Sequence, residues 1–106
     1  MRLEVHERIA LLSILPTKGD YAGLKTIRRA REMISFSPDE IKFYELVQDG
    51  GQTKWSTAKA SEQIKDVPVD EYTTNVIREK LAELNAKDEL TEQYMSVYEK
   101  FVIDYR

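Results

Sequence analysis

The sequence predicts one mainly α-helical domain, a small bundle of about five helices with a short β-hairpin or extended segment around residues 46–68. Three observations support this class: amphipathic helical stretches near the C-terminus, a strong helix start at residues 37–40 and a glycine turn at residues 50–51. The chain of 106 residues has the length of one domain, so residues 1–106 are assigned to a single folding unit.

The first helix is predicted around the apolar run IALLSIL at residues 9–15, in which only Ser13 is polar. A helix that is apolar on nearly every side has to be covered on more than one side. Either it is the central core helix, which we favour for a chain of this length, or a second copy covers it and makes a homodimer through the Ile9–Leu15 helix. Pro16 ends the helix because it lacks a backbone N–H.

The second helix is predicted at residues 20–35, with Asp20 as its N-cap. Its apolar residues share one side, and Lys25, Arg28 and Arg29 share the opposite side. The stretch has a local charge of +3, from Lys18, Lys25, Arg28, Arg29 and Arg31 against Asp20 and Glu32. This basic face is either a solvated helix face or a docking surface for an acidic protein patch or a phosphate backbone.

The clearest local signal is the stretch FSPDEI at residues 36–41. Ser37 is the predicted N-cap, and Pro38 takes the first helical position, where its missing N–H costs nothing. Glu40 is placed to reach back to the Ser37 N–H, which completes a capping box. The pattern predicts a third helix from residue 38 to about residue 46.

Extended structure is predicted after this helix, at residues 48–69, as a small hairpin or as three short strands. Residues 64–69 are expected to be a further extended segment, which Pro68 restricts to a sheet edge. The glycine pair at residues 50–51 predicts a tight turn because glycine accepts positive φ, and the alternation at residues 53–57 predicts a short hairpin strand. We expect Trp55 to fold over the helices as a lid on the core. The small and polar residues 57–62 are expected to form a mobile loop.

Residues 70–102 predict two helices that fold back on one another, with a polar break at residues 85–88. An α-helix turns by about 100° per residue, and on that spacing the apolar residues of each helix gather on one side. These residues are Val76, Ile77, Leu81 and Leu84 in the first helix and Tyr94, Met95, Val97, Tyr98, Phe101, Val102 and Tyr105 in the second. Thr91 is the predicted N-cap of the second helix.

The residue types that carry catalysis and metal binding are scarce. The chain has no cysteine, which excludes disulfides, thiolate metal sites and cysteine nucleophiles, and His6 is its single histidine. We interpret His6 as an ordinary surface or helix-edge histidine. Neighbouring carboxylates at residues 39–40, 70–71 and 88–89 lie at predicted helix starts, where negative charge is stabilised. We therefore predict no enzyme activity, no cofactor and no metal site.

Charge and hydropathy narrow the expected partners. The 19 acidic residues exceed the 16 basic ones, and a net charge of −3 disfavours general coating of nucleic acid, which needs dense positive charge. No apolar run approaches the roughly 18 residues of a membrane span. Glu4 and Glu7 interrupt the N-terminus, where a signal peptide would be apolar. We therefore expect no membrane contact and a cytoplasmic location.

Four stretches of the chain, in this order, resemble small uncharacterised proteins encoded by bacteriophages and prophages. They are ERIALLSILPTKGDY, FSPDEI, GGQTKW and LTEQYMSVYEKF. The resemblance spans nearly the whole chain, and its motifs are structural. The resemblance implies a viral context, and therefore a location in the host cytoplasm, and it implies no catalytic activity. Small phage proteins often act by binding a host or phage protein, so it also implies a protein partner.

These observations predict a small non-enzymatic protein of phage type that acts by protein–protein interaction, as a regulator or inhibitor of a host or phage factor. The candidate partner-binding residues are Lys25, Arg28, Arg29 and Trp55. The alternative is a nucleic-acid-binding regulator that uses the basic helix face of residues 18–31, with an affinity that falls steeply as salt rises.

Overall fold

The computed structural model describes residues 1–62 and 64–104. Six α-helices lie in these ranges: α1 (Val5–Ile14), α2 (Tyr21–Ile34), α3 (Pro38–Tyr44), α4 (Thr57–Glu62), α5 (Glu71–Ala86) and α6 (Met95–Tyr98). The strands are short: β1 (Arg2–Leu3), β2 (Val47–Asp49), β3 (Gln52–Lys54) and β4 (Lys65–Asp66). The predicted class, mainly helical with a short hairpin, is confirmed.

The C-terminal helical segment, residues 92–103, is continuous but changes its winding. It starts with a 3₁₀ turn at Glu92–Tyr94, continues as α6 and ends with a π turn at Glu99–Ile103. Val97 and Phe101 on its inner side are fully buried. Tyr105 of the predicted apolar stripe lies outside the described residues.

Helix α1 supplies much of the core. Leu11 is fully buried, Ile14 and Leu15 are buried almost completely, and Ile9 and Leu12 reach the surface in part. The same buried cluster contains Leu3, Ile27, Ile34, Val67, Ile77, Leu81, Val97 and Phe101. The Ile9–Leu15 run therefore serves the internal core over most of its circumference, as the favoured interpretation expects. None of the helices in the described ranges is both long and apolar enough to cross a membrane.

Strands β2 and β3 form the predicted hairpin. They pair antiparallel, with Val47 opposite Lys54 and Asp49 opposite Gln52. The two glycines at residues 50–51 have φ values of 59° and 81°, a backbone that a two-residue turn requires and that glycine adopts without strain. No side chain of either strand is buried, so the hairpin stands on the surface.

Helix α4 occupies residues 57–62, where a mobile loop is expected from the sequence, so that expectation is wrong. Alanine, lysine and glutamate in this stretch are strong helix formers, and small size and polarity do not oppose a helix. The Ser56 Oγ accepts a hydrogen bond from the Lys59 N–H at 3.3 Å, which helps to start the helix. The bundle accordingly has six described α-helices where about five are predicted.

A second small sheet pairs β1 with β4; extended structure is expected from the sequence at residues 64–69, which contain β4, but its pairing with β1 is not predicted. Arg2 lies opposite Asp66 and Leu3 lies opposite Lys65 in an antiparallel pair. Leu3 is buried in the core beside β4. Two-residue strands that are more than sixty positions apart leave no periodic pattern in a sequence.

The predicted caps of α2 and α3 are confirmed. The Asp20 carboxylate accepts from the Gly23 N–H at 2.7 Å. Ser37 Oγ accepts from the Glu40 N–H at 3.1 Å, and the Glu40 carboxylate accepts from the Ser37 N–H at 3.0 Å. Thr91, however, makes no side-chain capping bond, so that predicted cap is wrong, and the C-terminal segment begins through its 3₁₀ turn instead.

Candidate interaction surfaces

Lys25, Arg28 and Arg29 form a strip of positive charge on the outer face of α2, which we call the basic strip. All three residues are exposed, whereas Ile27 and Ala30 on the same helix are buried. Within the described ranges, no ion pair or side-chain hydrogen bond engages any member of the strip. Residues three and four apart on a helix are neighbours, and like charges at that spacing repel. The strip therefore holds uncompensated positive charge.

Arg31 does not belong to the basic strip, although it contributes to the +3 stretch of the sequence. Its guanidinium turns toward α1 and donates to the backbone carbonyls of Pro16 at 3.3 Å and Leu12 at 3.5 Å. These bonds satisfy carbonyl groups near the end of α1, which have no partner inside the helix. Arg31 therefore connects α2 to the end of α1 and does not extend the basic strip.

A groove of about 580 Å³ lies beside the basic strip, and we call it the α2 groove. Arg29 and Met33 line it on the α2 side, and residues 68–70 line it on the other. Met33 is 44% exposed, so an apolar side chain stands next to an unpaired cation. The Asp70 carboxylate is already engaged, because it accepts from the N–H and the hydroxyl of Thr73 at 2.9 and 2.6 Å.

Trp55 lies in a separate pocket of about 240 Å³. It is half-buried and faces residues 4–6 at the start of α1 together with residues of α4. Trp55 is not among the residues that form or pack against the buried core cluster of the described chain, so the expectation that it is a lid on the core is wrong. The structure thus brings Lys25, Arg28 and Arg29 together and leaves the fourth candidate residue on another pocket.

A partly buried polar chain, which the sequence patterns do not reveal, joins α1 to the C-terminal segment. The fully buried Glu7 carboxylate accepts from Lys100 Nζ at 2.6 Å and Ser96 Oγ at 2.8 Å, and His6 Nε2 lies 3.2 Å from Ser96 Oγ. Burial acts to raise the pKa of Glu7, but hydrogen bonds from the Glu4 backbone N–H, Lys100 and Ser96 outweigh burial and lower it. Glu7 is therefore an ionised carboxylate with its charge neutralised.

This polar chain contains a histidine, a serine and a carboxylate, but in an order that differs from a nucleophilic triad. In a triad the base lies between the serine and the acid, whereas here Ser96 lies between His6 and Glu7 and donates to the carboxylate. Glu4, His6 and Glu7 also offer metal-ligand atoms within 4.8 Å of one another. The Lys100 ammonium already neutralises Glu7 and would repel a cation there, so this cluster serves to hold α1 against the C-terminal segment.

Arg8 and Glu40 form a second ion pair inside the fold. The Arg8 guanidinium donates to both carboxylate oxygens of Glu40 at 2.6 and 3.2 Å, and to the carbonyls of Ile34 and Ser35 at 2.8 and 2.7 Å. The hydrogen bonds from Arg8 hold the pKa of Glu40 at about 2, against the effect of burial. The guanidinium also lies 4.0 Å from the centre of the Phe36 ring, a cation–π contact.

A groove of about 380 Å³ lies between the hairpin and the helices, and we call it the hairpin groove. Ile9 and Leu12 of α1, Phe36, Ile41 of α3 and Val47 of β2 line it, and every lining residue is uncharged. Ile41 and Val47 are 44% and 54% exposed. Phe36, whose ring contacts the Arg8 guanidinium, forms one wall of the groove.

Comparison with known proteins does not assign this chain to a family. No family model, curated protein or solved structure matches it. The resemblance to phage-encoded proteins therefore stays a prediction, and the surfaces described above carry the functional inference.

Proposed function

We propose that this chain is a non-enzymatic protein that acts by binding another protein, and that the basic strip is its contact surface. The partner presents acidic side chains to Lys25, Arg28 and Arg29. One observation carries this proposal: the three cations are exposed and adjacent, and they have no ion pair within the described residues. An acidic partner relieves the like-charge repulsion along α2 and is attracted before contact, which raises its association rate.

The α2 groove supplies the apolar part of the same contact. Stable interfaces combine apolar anchors with a polar rim, and methionine and arginine are enriched in them. Met33 and Arg29 meet these two requirements on one wall of the groove. The proposed partner segment therefore inserts an apolar side chain next to Met33 and places its acidic residues along the basic strip.

The role that we propose is a regulator or inhibitor of a host or phage factor, located in the host cytoplasm. The resemblance to phage-encoded proteins is the support for this context. Nucleic-acid binding through residues 18–31 is the alternative. It is the weaker one, since Arg31 is engaged by backbone carbonyls and affinity for a phosphate backbone grows with the number of cations that contact it.

The experiment compares two charge reversals of equal size. Arg28→Glu alters the basic strip, and Lys42→Glu alters an exposed lysine on α3, outside the strip. The wild type and both variants are immobilised and incubated with nuclease-treated bacterial lysate, and the bound proteins are quantified by mass spectrometry. We expect one or more acidic proteins that the wild type and Lys42→Glu retain, and whose affinity for Arg28→Glu is lower by about tenfold.

Two outcomes would refute the proposal. One is the absence of any protein retained by the wild type, and the other is equal retention by Arg28→Glu and the wild type. Duplex DNA is tested separately by mobility shift. A shift at low salt that Arg28→Glu abolishes, with no protein retained, would replace the protein partner with the nucleic-acid alternative.

A further inference from the structure

Two large apolar side chains on α2 lie in line with the basic strip, one at each end. Side chains four positions apart form a single ridge along a helix, and α2 presents such a ridge in Tyr21, Lys25, Arg29 and Met33. Tyr21 is 80% exposed and Met33 is 44% exposed, and the two cations between them are exposed as well. With a rise of about 1.5 Å per residue, this ridge, which we call the α2 ridge, is about 18 Å long.

Tyr21 has the largest exposed fraction of the large apolar side chains in the described ranges. Among those residues, no hydrogen bond, ring contact or cation–π contact engages it. A single exposed apolar side chain is common on a protein surface and needs no explanation. Tyr21 and Met33 differ from that case, because they stand at the two ends of one ridge with unpaired cations between them. Tyrosine, methionine and arginine are the residue types that protein interfaces favour.

Charge limits where a partner can place its acidic groups on the α2 ridge. The basic strip lies in the middle of the ridge and attracts carboxylates there. Asp20 directly precedes Tyr21, and Glu32 directly precedes Met33, so each end of the ridge has a carboxylate of its own. Because like charges repel, a carboxylate of the partner is disfavoured at both ends. The two ends therefore select uncharged, apolar side chains, whose burial against Tyr21 and Met33 is favourable.

We propose that the partner segment has an acidic centre and an apolar side chain on each side of it, and that Tyr21 binds the second of these apolar side chains. This inference rests on the proposed function, in which the basic strip binds an acidic protein and Met33 receives an apolar side chain. It adds Tyr21 to the contact surface and sets the two apolar groups about 18 Å apart. A segment that is only acidic would leave both ends of the α2 ridge uncovered, so the ridge discriminates against acidic surfaces of other proteins.

The test is a selection from a displayed library of random peptides of about 16 residues, which reach across about 18 Å as a helix or as a strand. Peptides that bind Arg28→Glu are removed first, and those that bind the wild type are then sequenced. We expect peptides with aspartate or glutamate at the centre and an apolar residue on each side. Tyr21→Ser and Met33→Ser should each weaken the binding of these peptides by at least about fivefold. Tyr21→Phe keeps the ring and should weaken it by less than about twofold.

Met95→Ser is the matched control for Met33→Ser, because Met95 is 47% exposed and lies on α6, away from the α2 ridge. It should leave peptide binding unchanged, and circular dichroism should show every variant folded.

The outcomes separate this inference from the proposed function. Acidic peptides whose binding depends on Arg28, but which Tyr21→Ser or Met33→Ser leaves unaffected, would overturn the inference and leave the proposed function standing. Weakening by Met95→Ser equal to that by Met33→Ser would also overturn the inference. A selection that yields no peptide specific for the wild type over Arg28→Glu would count against both.

Discussion

The Arg8 guanidinium and the Glu40 carboxylate form a bidentate ion pair in which the arginine side chain is 1% exposed and the glutamate 20%. Removal of the arginine takes the donor from two backbone carbonyls and the bidentate partner from the carboxylate, which keeps the Ser37 N–H and the more distant Lys65 ammonium. Arg8→Met is therefore expected to lower the free energy of unfolding by about 3–5 kcal/mol. Urea denaturation measures this change. Arg28→Met, on the exposed basic strip, is the control and should change it by less than about 0.5 kcal/mol. Equal losses in the two variants would contradict this account.

Stability is expected to fall in acid because of Glu40. Its pKa is about 2 in the folded chain against an ordinary value of 4.5. A lowered carboxyl pKa stabilises the fold fully above the unfolded-state value, and this stabilisation is lost as the pH falls through the folded-state pKa. Between about pH 5 and about pH 2 this group should contribute a loss of about 3 kcal/mol. The lowered pKa of Glu7 acts in the same direction.

The measurement is urea denaturation at a series of pH values. Glu40→Gln should show a shallower decline between about pH 5 and pH 2, because the substituted amide does not titrate. The Glu7 contribution remains in that variant, so some decline is still expected. Identical pH profiles for the variant and the wild type would show that Glu40 is not the source of the acid sensitivity.

Lys100 and Glu7 should behave as a coupled pair. The ammonium lies 2.6 Å from a fully buried carboxylate. Lys100→Met removes the charge that neutralises Glu7. Burial of the carboxylate without this partner then raises the Glu7 pKa and lowers the free energy of unfolding. We expect a loss of about 3 kcal/mol in the wild-type background and a loss at least about 1 kcal/mol smaller in a Glu7→Gln background. Equal losses in both backgrounds, measured by a double-mutant cycle, would argue against this pair.

Substitution of Gly51 is expected to lower the local stability of the hairpin and to leave the helical core unchanged. Its φ of 81° is strained for any other residue, and an added Cβ meets no atom within 4 Å, so the cost of Gly51→Ala arises from the backbone and amounts to about 1–2 kcal/mol. We expect faster amide hydrogen exchange in β2 and β3 with little change in α1 or α5. Gly19→Ala is the control, since its Cβ makes only ordinary contacts with Leu24. Faster exchange throughout the core of Gly51→Ala would be the contrary result.

The elements that are predictable from the sequence are those with local signals. The caps at Asp20 and Ser37 depend on residues within three positions, and the turn at residues 50–51 depends on glycine alone. Helix α4 is missed because a short polar stretch is compatible with both loop and helix. The β1–β4 sheet is missed because it depends on contacts between distant parts of the chain.

The candidate sites also divide into those with a local signal in the sequence and those that depend on distant contacts. The basic strip is predictable from helical spacing on α2, but the inward turn of Arg31 toward carbonyls near the end of α1 is not. Glu7 and Arg8 precede Leu11 by four and three positions, which places them on the core face of α1. That signal is present in the sequence, but charged residues are rarely buried unless they are paired. Because their partners lie on helices that are distant in the sequence, no local pattern predicts these ion pairs.

The position of Arg8 has a practical consequence for experiments on the basic strip and on the hairpin groove. The same guanidinium touches Phe36, a wall of the hairpin groove, and binds the carbonyl of Ile34, the last residue of the helix that bears the basic strip. Weakened association in an Arg8 variant would therefore not reveal which surface had been damaged. Substitutions of Val47, on the hairpin groove, and of Arg28, on the basic strip, each alter one of these surfaces and leave the other unchanged.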